Sequence, residues 1–362
     1  MKRTILIFIS LLMILSGCKS SSLQAYDFTS ISLGFDTAIS FRAYCHNEEE
    51  FNQYKEVLIK RYQEYDQIFS YYDEYPNNLY HLNHHAGSEV KVHPEIISLL
   101  KEAKEYQQLT HSQFDVTIGA MLSIWHQYRE QAELLEIYQI PNDDELLKVK
   151  EHRGFENIVI NEEKSTVLIK DTKMSLDFGG IAKGYATQQI ANQLHEMGLQ
   201  HGFINAGGNV VIIGPKADNS PIRVGLQIPD TSKMQTNSLL SIAIDQPMAF
   251  VTSGNYQRYY EVDGQKYHHI IDPDTNMPAT HFDSVTIITP DSTLADALST
   301  ALFNMSLTEG VDLLKTMKQQ GISIDVIWVS KEPLQKMDSL YEMKAEGYHI
   351  LYTDTLHEYI VQ

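Results

Sequence analysis

The stretch SLDFGGIAKGYA, residues 175–186, reads as a strand ending in Asp177, a glycine pair at Gly179 and Gly180, and a helix carrying Lys183 near its start. A strand-to-helix turn of this kind offers free backbone N–H groups to a phosphate, and glycines let a ligand come close to the main chain. It is not a Walker-type loop, because Lys183 precedes the last glycine, Gly184, and no Ser or Thr follows the lysine. Nor does it have the glycine spacing of a dinucleotide-binding Rossmann turn. A plain tight turn packing a helix on a sheet explains the same residues.

The segments around it mix strand and helix periods. Upstream, FENIVINEEKSTVLI (155–169) reads as a hairpin, two β-rich runs around a polar turn. Downstream, Tyr185, Ile190, Leu194 and Met197 recur at helical spacing until Gly198, a helix stop. FINAGGNVVIIG (203–214) reads as another strand with a glycine pair, and residues 222–288 as predominantly β. Near the N-terminus, apolar residues alternate from Phe28 to Ala43 (Ile31, Leu33 and Phe35, then Ile39, Phe41 and Ala43), which predicts a strand. Helical spacing follows over 48–69, then a tyrosine-rich loop to Asn83, and Pro94 opens a further helix to about Leu109. STLADALSTALFNMSL (292–307) and a segment from Glu309 complete the helices. Strands and helices alternate without regular βαβ units and no long linker divides them. The expected class is α+β, one large domain of mixed sheets packed with helices.

The chain opens MKRTILIFISLLMILSGCKSSS. Lys2 and Arg3 precede a short apolar run from Ile5 to Leu15, the layout of a secretory signal rather than a spanning helix. Leu15-Ser16-Gly17-Cys18 looks like a bacterial lipoprotein processing site, with cleavage before Cys18 and lipid attached to it. The expected organisation is a signal peptide over 1–17, a lipidated Cys18 with a tether over 18–27, and one domain over 28–362. The protein would then sit on the extracytoplasmic side of a bacterial membrane, since two or three acyl chains hold firmly where one does not. With Cys18 committed to lipid, Cys45 has no partner, so neither a disulfide nor a cysteine metal site is expected.

Hydrophobic residues make up 43% of the 362 and charged residues 21%, a globular balance. The formal charge is −19 and basic residues do not run in blocks, which argues against nucleic-acid binding. An anionic ligand would need cations placed inside its own site.

Four segments concentrate reactive side chains: residues 177–184, 205–209, 253–279 and 295–301. Asp272-Pro273-Asp274-Thr275-Asn276 has the composition of a turn. His268 and His269 project to opposite faces of a strand, so only one need face a site. On a helix Asp296 and Thr300 share a face, and a carboxylate with a hydroxyl suits a hard cation such as Mg²⁺. Thr293-Leu294-Ala295-Asp296 equally fits a capping box, with the acid stabilising the first turn.

Taken together, LDFGGIAKGYA, NAGGN, SGNYQRYY, HIIDPDTNMPA and ADALSTALF, in this order behind a lipoprotein signal, resemble the FAD:protein FMN transferases of the ApbE type. The resemblance runs from about residue 31 to about residue 310. It implies a Mg²⁺-dependent enzyme that cleaves FAD, transfers FMN through its phosphate to a Thr or Ser hydroxyl of an acceptor flavoprotein, and releases AMP. It implies that the Ala182 carbonyl, Asp296 and Thr300 hold the metal. FAD would contact Leu33, Tyr72, Asp115, Tyr185 and Ile271. His269 and Arg258 would act at the pyrophosphate, with Lys183 adding positive charge. Asn276 stands where the family usually has glycine, and LGFDTAIS (33–40) departs from the usual Met-Gly-Thr wording. An FAD pyrophosphatase using water in place of the hydroxyl, and a non-catalytic flavin-binding lipoprotein, are the competing readings.

Overall fold

A computed structural model describes residues 22–230 and 238–361. The signal segment, Cys18 and the start of the tether lie outside the described residues.

The chain begins with β1 (Gln24–Ser30) and β2 (Ile39–Cys45), then α1 (Glu48–Phe69), α2 (Leu79–His84), β3 (Glu89–Lys91) and α3 (Pro94–Leu109). Next come α4 (Gly119–Leu135), α5 (Asp143–Lys150), β4 (Ile158–Asn161), β5 (Thr166–Ile169) and α6 (Ala182–Glu196). The strands β6 (Gly202–Ala206), β7 (Asn209–Gly214), β8 (Ile222–Gln227), β9 (Ser238–Ile244) and β10 (Met248–Gly254) follow. After them lie β11 (Tyr259–Val262), β12 (Gln265–His268), β13 (Ser284–Thr289), α7 (Ser292–Asn304) and α8 (Leu307–Gln319). The chain closes with β14 (Asp325–Ser330), β15 (Leu340–Ala345), β16 (Tyr348–Thr353) and β17 (Ile360–Val361).

Nine strands form the main sheet in the order β1-β2-β6-β7-β10-β13-β14-β16-β15, with every neighbouring pair antiparallel. Both of its faces are covered. The helices α1, α6 and α7 pack on one side, and α7 rests directly on β10 and β13. The β17-β9-β8 sheet supplies Ile222, Leu240 and Ile242 to a cluster with Phe250, Ile288 and Ile350 of the main sheet. Burial on both faces explains why β13 is apolar or hydroxylic and buried throughout. Smaller sheets, β3-β5-β4 and β11-β12, flank this core. The α+β class expected from the sequence is the class observed.

Local signals account for most helices. Along α1, Phe51, Tyr54, Leu58, Tyr62, Tyr65 and Phe69 are buried at intervals of three and four. Asn47 caps its start by accepting from the Glu50 N–H at 2.9 Å. Pro94 occupies the first turn of α3 as expected, and Gly198 takes a left-handed φ of +111° just beyond α6.

Four expectations change. The alternation from Phe28 to Ala43 is two strands, not one. Between them Gly34, Phe35 and Asp36 all take positive φ, Ile31 is 83% exposed, and the Phe35 N–H donates to Asp66 Oδ1 at 2.7 Å. That bond draws the 31–38 turn over the end of α1, which period-two reading cannot see. Residues 174–178 join no strand ladder. They are pinned by Asp177 N–H to Val116 O (2.9 Å) and by a reciprocal pair between Asn83 and the Leu176 backbone (2.8 and 2.9 Å). The tyrosine-rich loop contains α2, whose cap Asn78 accepts from His81 N–H. The glycine pair in FINAGGNVVIIG is the turn between β6 and β7, with φ of +59° at Gly207 and +95° at Gly208.

Candidate active site

A cavity of about 670 Å³ opens where the 34–37 turn, the 113–118 segment, α4, the 177–183 turn, the 269–273 segment and α7 converge. Its chemistry is built on the contact between α6 and α7. A Cβ at Gly184 would fall 2.3 Å from the Ser292 carbonyl oxygen and 2.6 Å from Asp296 Cβ, so only glycine allows this approach. The closeness lets the Gly184 N–H donate to Asp296 Oδ2 at 2.8 Å. In an unbroken helical ladder that N–H would reach back to Gly180. Among the described residues no backbone N–H donates to the Gly180 carbonyl.

Asp296 is 4% exposed and lines the cavity. It does not cap its helix. Asp291 is the cap, and its Oδ1 accepts from the N–H groups of Thr293 (2.8 Å) and Leu294 (3.2 Å). The capping-box alternative is thereby removed, because the helix starts two residues earlier than that box requires. A nearly buried carboxylate, with one oxygen lacking a protein donor among the described residues, is a fitting ligand for a hard cation. Thr300 Oγ1 stands one turn further along α7, and a Cβ at Gly180 would lie 3.1 Å from it. Ala182 also lines the cavity, as the first residue of α6. The donor set (one carboxylate, one hydroxyl, nearby main-chain carbonyls) suits Mg²⁺. Ala182 has a helical partner available for its carbonyl, whereas Gly180 has none. The free Gly180 carbonyl is thus a second candidate donor beside that of Ala182. No cluster of three His, Cys, Asp or Glu side chains competes for a metal among the described residues.

Lys183, Arg258, His269, Ile271, Tyr72 and Asp115 all line the same cavity. Arg258 is fastened at both ends of its residue. Its Nη2 donates to the Phe35 carbonyl at 3.5 Å, and its own carbonyl accepts from the His269 N–H at 3.2 Å. Burial holds the His269 imidazole well below its ordinary pKa, and His268, Arg258, Arg129 and Lys183 push in the same direction. In the free protein the ring therefore favours its neutral form. His268 points the other way, with Nε2 2.7 Å from the Ala279 carbonyl and its ring edge-on to Phe303. Burial lowers its pKa to about 4. Asp177 moves oppositely. Burial raises its carboxyl above the ordinary value, opposed by the Gly179 N–H at 2.6 Å and by His126, Arg258 and Lys183.

Two expected flavin contacts lie outside the cavity lining. Leu33 is 5% exposed and packs into the main core beside the 34–37 turn, whose other residues face the cavity. Tyr185 is also buried, with its hydroxyl donating to the Glu95 carboxylate and its ring edge-on to Tyr65 and Phe69. Tyr72 is 57% exposed at the rim and lies against the His126 ring at 5.1 Å. Asp115 Oδ1 accepts from the Thr117 N–H and hydroxyl at 2.8 and 2.7 Å. Asn276 takes φ +61° and fills the place of the missing glycine, within a turn closed by its N–H to the Asp272 carbonyl at 2.8 Å.

Sequence reading also passed over α4. Leu122, Trp125, His126 and Arg129 face the cavity at intervals of three, one and three, an i, i+3, i+4, i+7 stripe that was readable in principle.

A model of the ApbE family matches residues 35–324, which takes in all of the site segments except Leu33 and Gly34. A Klebsiella pneumoniae protein named FAD:protein FMN transferase is 28% identical over 316 residues, covering 85% of this chain and 90% of its own. A Treponema pallidum protein of the same name is 32% identical over 249 residues, covering 65% and 66%. Among solved structures, the ApbE protein of Thermotoga maritima superimposes with a TM-score of 0.76 at 29% identity, covering 94% of this chain and all of its own. A Vibrio cholerae flavin transferase structure shares the fold at a TM-score of 0.72 and 21% identity, covering 93% and 99%.

Proposed function

Since the chain belongs to the ApbE family, we propose that it is an FAD:protein FMN transferase, an enzyme that moves FMN from FAD onto a Thr or Ser hydroxyl of an acceptor flavoprotein. The observation that carries this reading is the Gly184–Asp296 bond, which sets a metal-type carboxylate beside Lys183 in one cavity. Pyrophosphate cleavage depends on charge neutralisation and in-line positioning more than on covalent help. In a chain of net charge −19 those cations have to be local, and Lys183, Arg258 and Arg129 line the cavity.

Asp296, Thr300 and a main-chain carbonyl of the 180–182 turn would hold Mg²⁺, which when bound would neutralise the diphosphate and stabilise the departing AMP. Arg258 and Lys183 bind the same anion from the protein side. His269, neutral in the free protein, accepts the proton of the acceptor hydroxyl as its oxygen bonds to the FMN phosphorus. The bond from that phosphorus to the bridging oxygen breaks, and AMP leaves with the oxygen. Binding an anion next to this ring favours its protonated form, which assists the transfer.

The test is incubation with FAD and Mg²⁺, with and without an acceptor subunit, following AMP release and protein-bound flavin by mass spectrometry. A covalent FMN adduct on the acceptor supports the transferase. Release of both FMN and AMP with no adduct replaces it with the FAD pyrophosphatase, and FAD binding without turnover leaves a flavin-binding lipoprotein.

Attachment through Cys18 to the outer side of a bacterial membrane belongs to the same reading, on the strength of the LSGC site. No helix of the described residues is long and apolar enough to cross a membrane. Cys18→Ala is expected to move the protein to the soluble fraction or to block its processing. Wild-type protein found unacylated in the soluble fraction removes the anchor.

A further inference from the structure

The short helix α2 and its cap carry three histidines, His81, His84 and His85, in the sequence LYHLNHH (79–85). Their spacing brings two of them together. His81 and His85 stand one helical turn apart, and their ring centroids lie 4.2 Å from each other. His84 turns aside and stacks on Tyr80, with centroids 3.7 Å apart.

The contacts of each ring fix which nitrogen is free. His85 Nδ1 lies 2.8 Å from the His81 carbonyl oxygen, which only accepts, so Nδ1 carries the hydrogen and Nε2 keeps its lone pair. His81 Nδ1 faces Glu74 Oε1 at 3.6 Å, and a carboxylate likewise favours the hydrogen on the nitrogen nearest to it. Each ring therefore offers the lone pair of Nε2. A metal-binding histidine is held in this way, with its other nitrogen donating to a carbonyl or a carboxylate. The surroundings favour a cation as well. Both rings sit at the C-terminal end of α2, where main-chain carbonyls gather negative charge, in a chain of net charge −19.

We propose that the Nε2 atoms of His81 and His85 form a binding site for a divalent transition ion such as Zn²⁺ or Cu²⁺. Imidazole nitrogen suits these ions, whereas Mg²⁺ prefers oxygen. Two ligands from the chain leave the remaining positions to water. The site is separate from the cavity, which neither histidine lines. The ion clamps a helix of six residues, too short to be stable by itself, through its i, i+4 pair. Asn83, between the two ligands, holds the Leu176 backbone through its reciprocal pair of hydrogen bonds. The clamped helix is thus the one that secures the entry to the 177–183 turn.

The test titrates Zn²⁺ calorimetrically into the full chain in excess Mg²⁺, which keeps oxygen-rich sites filled. Wild-type protein is expected to take up Zn²⁺, and His81→Gln and His85→Gln each to bind it at least about tenfold more weakly, because the second imidazole of a chelate acts at a high effective concentration. His84→Gln should match the wild type. Zn²⁺ should raise the melting temperature of the wild type more than that of His85→Gln. With Cu²⁺ on the wild type, pulsed EPR should show the remote nitrogens of two imidazoles, a readout that does not depend on how the variants fold. No Zn²⁺ uptake by the wild type, or an affinity unaltered in both His81→Gln and His85→Gln, overturns the site. An equal loss in His84→Gln, or a single imidazole on Cu²⁺, overturns the pairing of His81 with His85.

Discussion

The Gly184 N–H donates to Asp296 Oδ2 at 2.8 Å, tying the first turn of α6 to the second turn of α7. This one contact joins the glycine-rich turn to the metal-type carboxylate and fixes how far apart the two helices stand.

Gly184→Ala tests that spacing directly. Its Cβ would meet the Ser292 carbonyl oxygen at 2.3 Å, and main chain cannot swing aside as a long side chain can. The helices must separate, at a cost of about 1–3 kcal/mol of stability. FAD turnover is expected to fall more than about tenfold, since small misplacements at a reacting centre are expensive. A variant with wild-type melting temperature and rate would show that the close approach does not matter.

Asp296→Asn keeps an oxygen to accept from Gly184 and removes the charge a hard cation needs. Turnover should collapse and the Mg²⁺ concentration needed for residual activity should rise, with little change in melting temperature. Asp291→Ala is the complementary variant. Losing that cap should cost about 0.5–2 kcal/mol while the Mg²⁺ dependence stays as it is. The reverse pattern in the pair would take Asp296 out of the site.

His269→Ala is expected to slow transfer by about 10²–10⁴ while FAD still binds. Because burial and neighbouring cations hold its pKa well below 6.5, the ring of the free enzyme stays neutral as pH drops through that value. The acid limb of kcat/KM due to this group should therefore lie below pH 6.5. An acid limb centred at 6.5 or higher that disappears in the variant would contradict the assignment of its ionisation.

His268 governs stability instead. Its folded pKa of about 4 lies under the unfolded value of about 6.5, so between these values the unfolded chain binds the extra proton. The His268 contribution is intact above pH 6.5 and is lost as pH falls toward 4, on the order of 3 kcal/mol in all. Melting temperatures of the wild type and His268→Gln, measured across pH 4–7, should converge toward the acid end. Parallel curves would mean that the imidazole is not held neutral by burial.

The amino-acid sequence by itself determined α1, α3, α6, α7 and α8, the α+β class, the glycine turn at 179–184 and the turn at 272–276. Each of these rests on a signal spanning a few residues: a 3.6-residue apolar period, a cap, a proline at a helix start, or a side chain that tolerates positive φ. It also placed the family's motifs in order. What it left open was decided by contacts between segments far apart in the chain. Whether Asp296 caps a helix or lines a site turned on where α7 begins and on a bond from Gly184, 112 residues earlier. Which histidine faces the cavity turned on the Ala279 carbonyl, which takes His268 inward. Leu33 and Tyr185 fell behind the cavity wall because α1, α3 and α6 bury them in the core, a matter of packing that period and motif do not encode. The bond from Asn304 Nδ2 to the Gln113 main-chain carbonyl bridges 191 residues, and only docking of α7 against the sheet brings them together. Local signals act over a turn or two of chain, whereas a cavity is the space left between elements once they have packed.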